Sequence, residues 1–247
     1  MLRATLAGAV ALLLAPGLLD AASPRSPLVA ELEILATRYH ENPTRLDAVR
    51  DGLTQAVRQE PDPETWIALA RVCFIWGDVR ATTAEQKLAA YAEGREAARR
   101  AVELAPRAPL AHLFRGINAG RWGQTKGVVR SLFLLPDVRE AIRQTLELDP
   151  ALPAAYALAG NVDYEVPGIF GGSLERAEGH FRQGLGIDPH FTALRIGLAK
   201  VLRKQGRVAE ARRELRALLD ETAPTNPAEW SMRDAPEARA LLGALGP

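Results

Sequence analysis

The chain has 247 residues, 47% of them hydrophobic and 25% charged, with a formal net charge of +1. That balance is of the soluble globular kind and leaves no overall electrostatic footprint for nucleic acid or for an anionic membrane surface. A single cysteine, Cys73, excludes an intramolecular disulfide and a cysteine-rich metal site.

The first residues read as an export signal. Arg3 and the terminal amine supply positive charge, Ala4 to Leu19 is largely apolar, and Ala21-Ala22-Ser23 offers small residues for cleavage. The expected division is a signal peptide over 1–21, a linker over 22–27 and a single repeat domain over 28–247, with periplasmic or secreted localisation. An uncleaved anchor is the other reading, although the apolar run is short for a membrane span. No cysteine stands at the cleavage region, which closes the bacterial lipoprotein route.

Helical periodicity begins near Leu28 and hardly stops, and no sustained period-two alternation bounded by turns interrupts it. Five prolines, Pro61, Pro106, Pro150, Pro189 and Pro224, each follow a helical apolar run at spacings of 45, 44, 39 and 35 residues. The last spacing nearly matches the period of about 34 residues of a tetratricopeptide helix–turn–helix unit. Before Pro61, Leu28 to Tyr39 partners a helix marked by Val49, Leu53 and Ala56. Trp66, Leu69 and Ala70, then Gly94, Ala98 and Ala101, precede Pro106. His112 and Gly116, then Val138 and Ile142, precede Pro150; Tyr156 and Gly160, then Ala177 and Phe181, precede Pro189.

The last pair is the clearest. Leu198, Ala199 and Leu202 mark its first helix and Ala211, Leu215 and Leu218 its second. Between them Gln205-Gly206-Arg207 makes a turn whose glycine accepts a positive φ. Asp234 is expected to cap a final helix, Pro236 to Leu245, that closes the stack. The fold class is therefore all-α: a tetratricopeptide-like helical-hairpin solenoid of about five helix pairs, with a generic helical bundle as the alternative.

Three repeats carry extra residues between their two helices, around Gly77–Glu85, Arg121–Pro136 and Val166–Gly172. Inserted loops at one point of successive repeats fall on one edge of a solenoid. Trp122, Leu132 and Phe133 in the second insertion are candidates to line a cleft for an apolar ligand or a partner segment. The plain alternative is that this insertion plugs the core. Asn118, Asn161 and Asp163 fall on first helices, where they are candidates to hydrogen-bond a ligand in the groove or to serve surface and helix-end roles. In the third insertion Ser173 suits a helix N-cap, and the glycines make a turn that lets Phe170 pack beside the groove. No Gly-Lys-Ser/Thr follows, so the loop lacks a phosphate-binding signature.

No catalytic constellation, metal site or cofactor is expected. The four histidines lack the spacing of a helical zinc pair; His112 takes a packing slot, while His180 and His190 are assigned to helix ends. Gly171-Gly172-Ser173-Leu174-Glu175 fails as a nucleophile elbow, and Cys73 lies in an apolar helical run that suits burial.

The order of Gly120-Arg121-Trp122-Gly123, the apolar insertion, Leu148-Asp149-Pro150, then Pro167-Gly168 with Gly171-Gly172-Ser173 and Ala177 resembles a known group. It is similar to the bacterial tetratricopeptide proteins related to the T component of tripartite ATP-independent periplasmic (TRAP) transporters, and a similar layout occurs in the eukaryotic regulators of microtubule dynamics. The resemblance implies a non-enzymatic periplasmic helper. Its groove or pore would engage a protein or peptide partner such as a solute-binding protein, or a small apolar ligand, and a homo-oligomer is among the states implied. N-terminal sequencing of the mature protein is expected to start at Ala22; a start at Met1 would refute export.

Overall fold

The computed structural model describes residues 26–59 and 61–246. The expected signal peptide and residues 22–25 of the linker lie outside them. Of the remaining linker, Ser26 precedes and Pro27 opens the first helix.

Among the described residues, five helical hairpins follow one another. They are α1 (Pro27–Arg38) with α2 (Arg45–Gln59), α3 (Pro63–Val79) with α4 (Ala84–Leu104), α5 (Pro109–Lys126) with α6 (Val128–Leu148), α7 (Pro153–Glu165) with α8 (Leu174–Ile187), and α9 (Thr192–Lys204) with α10 (Val208–Leu219). First helices touch one another in succession, α1 to α3, α3 to α5, α5 to α7 and α7 to α9. Second helices touch the hairpin that follows. First helices therefore form the inner layer and second helices the outer one, as in a stack of hairpins around a concave face.

Local chemistry explains where the helices start and stop. Pro63, Pro109 and Pro153 open first helices, where a missing N–H costs nothing. Asp62 accepts a 3.0 Å bond from the Thr65 backbone N–H at the head of α3, and Thr83 with Gln86 forms a reciprocal capping box on α4. Ser173 accepts from the Arg176 N–H at 3.2 Å and caps α8, as the sequence suggests. Gly206 takes φ of 79° in the α9–α10 turn, the left-handed conformation expected there.

Crossings depend on small residues. Phe181 of α8 is fully buried, and its ring lies between two glycines of flanking first helices. A Cβ would stand 2.6 Å from a ring carbon at Gly160 and 2.5 Å at Gly197, closer than carbon atoms pack. On α2 the buried face is Leu46, Val49, Leu53 and Val57; Ala56, expected on it, is only half-buried because the 3-4-4 spacing carries the stripe to Val57.

The extra residues of two repeats are mostly helix, as the apolar run Val128 to Leu135 allows for the second of them. Only residues 80–83 separate α3 from α4, and only Gly127 separates α5 from α6. These four helices run 17, 21, 18 and 21 residues against 13 and 12 for α9 and α10. The hairpin tips therefore project beyond those of the last repeat. Pro136 lies inside α6, eight residues after its start, and does not end it. The third insertion is the loop expected, with one 3₁₀ turn at Gly168–Phe170.

The C-terminal segment departs further from expectation. Helix α11 (Pro227–Glu229) runs through a π turn (Trp230–Asp234) into α12 (Ala235–Ala244). Asn226 is the N-cap, accepting from the Glu229 N–H at 3.1 Å. Asp234 caps nothing: its backbone is already helical, and its fully buried carboxylate accepts from Thr192 Oγ1 at 2.7 Å and Arg233 Nε at 2.9 Å. Helix α12 does cover the last repeat, with Ala235 and Ala238 against Leu215 and Leu218.

Replacing Gly160 by valine forces Phe181 out of its slot and is expected to lower stability by about 1–3 kcal/mol, the usual range for overpacking. Urea denaturation followed by circular dichroism reads this directly; an unchanged midpoint would refute the glycine–ring–glycine crossing.

Candidate functional site: a closed concave groove

The inner faces of the first helices line one groove of about 670 Å³. On α5 its residues are Leu113, Ile117, Arg121 and Gln124, which share one helical face by their spacing of three to four. Ala154, Leu158, Asn161 and Glu165 do the same on α7, and Ala193, Ile196 and Lys200 on α9. Helix α3 adds Arg71, Phe74 and Ile75. Along α5, α7 and α9 the floor is apolar first and polar or charged towards the C-terminal ends.

The C-terminal segment closes the groove. Helix α11 touches α1, Ala228 is buried in the core of the first two hairpins, and Asn226 Nδ2 donates to the Ala36 carbonyl at 3.3 Å. The chain thus bridges from its last repeat back to its first. Glu229, Arg233 and Glu237 from this bridge face the groove.

Charges here are mostly matched. Arg233 donates to Glu229 at 3.1 Å and to Asp234, and Lys200 pairs with Glu237. Burial works against the Arg233 charge, but Glu229 and Asp234 more than restore it and push its pKa up. Arg121 donates to Asp78 at 2.6 Å, and Asp78 also accepts from the Tyr91 hydroxyl at 2.6 Å. Burial, then the nearby Glu229, raises the Tyr39 phenol well above its ordinary range. Arg71 stands apart: it makes no hydrogen bond or ion pair among the described residues, and burial lowers its pKa against the opposing pull of Glu229 and Glu33. An incompletely matched guanidinium beside Phe74 and Ile75 is suited to a carboxylate carried on an apolar segment.

The six residues expected at the groove separate. Leu132 and Asn161 line it. Asn118 lies beneath the floor, fully buried, donating through Nδ2 to the carbonyls of Ala70 at 3.0 Å and Phe114 at 2.9 Å; it ties α5 to α3 and no groove ligand can reach it. Trp122 turns away towards α4, with the Arg95 guanidinium 5.0 Å and the Lys126 ammonium 5.7 Å from its ring. Phe133 and Phe170 are exposed outside the groove. Asp163 is buried on the other side of α7, accepting from Arg176 at 2.7 and 3.1 Å and lying 3.6 Å from His180. His180 is consequently a mid-helix, half-buried residue and not a helix-end one. Burial lowers its pKa more than Asp163 raises it. His190 is exposed and contacts Glu221 at 3.1 Å. Cys73 is buried, and burial drives its thiol pKa up, so it is a packing residue.

Arg71, Glu229 and Arg233 are groove residues outside every motif read from the sequence, and Arg121 stands in the Gly120–Gly123 motif without having been assigned to the groove. A second stripe on each first helix, offset from the core stripe, was the available signal for Arg71 and Arg121. None existed for the C-terminal pair, whose position depends on the return of the chain to α1.

The model of the family "Regulator of microtubule dynamics protein 1-3" matches residues 29–171. The chain belongs to this family. A tetratricopeptide repeat model matches residues 172–245. A search among curated proteins finds no match. Among solved structures the chain is similar to TTC0263, a tetratricopeptide protein of Thermus thermophilus: 17% identity, TM-score 0.61, covering 88% of this chain and 98% of that one. It is also similar to PilF of Pseudomonas aeruginosa, with 15% identity, TM-score 0.53 and 89% of each chain covered. At these identities the likeness is one of fold: an all-α helical-hairpin solenoid with a C-terminal cap.

Ala228→Glu places a charge in the core of the first two hairpins and is expected to detach the C-terminal bridge. Hydrogen exchange of α1 should rise while that of α7 and α8 stays unchanged; equal protection in all three would show that the bridge contributes nothing to closure.

Proposed function

We propose that this chain is a non-enzymatic interaction scaffold that holds a segment of a protein partner in the closed groove. The groove itself carries the reading. An apolar floor flanked by matched charges, with Arg71 lacking a direct ion pair among the described residues, is a surface for recognising a segment and not for bond-making. Among the described residues no group of three or more His, Cys, Asp or Glu side chains is placed to hold a metal ion. The groove, rather than the family's name, supports this assignment.

The finer form of the proposal is a protein exported to a periplasm that assists a TRAP-type transport system by engaging its solute-binding protein. It rests on the motif resemblance alone. A second reading is a small apolar ligand. The groove volume favours it, since ligand pockets span roughly 300–1,000 Å³.

A photo-crosslinking amino acid at Asn161, in the groove, is compared with one at Arg213, on α10. A partner adduct at 161 that is absent at 213, and that weakens at least about fivefold with Leu132→Arg, is the expected result. Equal adducts at both sites would exclude the groove as the binding surface. A small molecule retained in native mass spectra, with no adduct at 161, would decide for the second reading.

A further inference from the structure

The edge where α5 turns into α6 bears apolar side chains that the fold leaves bare. Val128, Val129 and Phe133 are 71%, 69% and 74% exposed. On the next tip Ile169 is 87% exposed. Val128 and Leu132 from one tip and Val166 and Pro167 from the other border the same groove. Arg139 of α6 also donates to the carbonyls of Phe170 at 3.4 Å and Gly171 at 2.8 Å. Phe133 lies six residues before Arg139, about 9 Å along the helix. Scattered exposed apolar residues are ordinary, but three within the first two turns of one projecting helix mark a contact surface.

Charge at the tip itself has one sign. Residues 126–133 hold Lys126 and Arg130 and no carboxylate, while exposed Asp137 stands one turn beyond Phe133 and exposed Glu165 ends α7. Arg121 is taken by Asp78. Lys126 lies over Trp122, and Arg130 is exposed with no ion pair among the described residues. The net charge of +1 conceals this local excess. Cations interleaved with bare apolar side chains form the pattern of a shallow interfacial contact with anionic lipid. A second copy of the same edge fits less well, because a two-fold contact brings Lys126 and Arg130 towards their own images.

We propose that this hairpin-tip edge docks peripherally on an anionic lipid surface, with Val128, Val129 and Phe133 entering the interface and Lys126 and Arg130 meeting lipid phosphates. Among the described residues no helix is long and apolar enough to cross a membrane, so the contact assigned here is a lateral one. Val129, Phe133, Lys126 and Arg130 lie outside the groove, and Val128 alone of the group borders it.

The test uses the full chain, whose own Cys73 is buried. An environment-sensitive fluorophore is attached through Phe133→Cys or, as a control on the outer layer, Arg213→Cys. With vesicles of phosphatidylcholine and phosphatidylglycerol, emission at 133 should shift to the blue and brighten several-fold, while emission at 213 stays unchanged. Lys126→Glu with Arg130→Glu should weaken the apparent affinity about tenfold or more. An unshifted probe at 133, even if the chain floats with the vesicles, overturns the proposal. So does an equal shift on phosphatidylcholine alone, because anionic charge would then play no part. A shift that grows with protein concentration in the absence of vesicles also overturns it, in favour of a self-interface.

Discussion

A two-helix hairpin cannot bury its own apolar surface. Each unit of this chain has a stripe that meets its partner helix and another that meets the next unit, and both must be covered at once. Stacking is the solution, and its closeness depends on absent side chains. Phe181 illustrates this: its ring fills the space left by Gly160 on one first helix and Gly197 on the next. A single buried aromatic thereby joins three helices and two hairpins, and the solenoid keeps its register through contacts of this kind.

The groove follows from that packing. With outer helices on one side and neighbouring first helices to left and right, each first helix keeps one face free. Those faces align because the hairpins repeat, and they enclose a continuous concavity. What makes it a closed site is the C-terminal segment, which leaves the last repeat and inserts Ala228 into the core of the first two hairpins. The same crossing brings Glu229 and Arg233 near Tyr39 and Arg71, so residues some 160–190 positions apart in sequence share one electrostatic environment.

Long helices in the second and third hairpins give the molecule its other distinctive surface. Their extra turns cannot be covered by the shorter repeats that follow, so the tip at Gly127 and the start of α6 project into solvent. Apolar residues that would be core in the middle of a helix are bare at such a tip. Phe133 is an instance: its type suggested a cleft wall, whereas its position beyond the stack leaves it exposed.

Much was legible in the residues themselves. Apolar periodicity, opening prolines, caps such as Ser173 and the glycine at 206 act within a few positions of one another, so local chemistry alone set the helices, their order and the hairpin unit. Placement of the site was another matter. Asn118 and Asn161 are the same residue type on equivalent helices, yet one is sealed beneath the floor and the other lines the groove: they stand two and one residues after the crossing glycines Gly116 and Gly160, and that step of about 100° puts them on different faces. Asp234 looked like a cap and became a buried anchor once the chain returned to its own first hairpin. The amino-acid order determined the helices; only the assembled packing decided which of their faces remained open, since exposure belongs to a residue's neighbours in space and not to the residue.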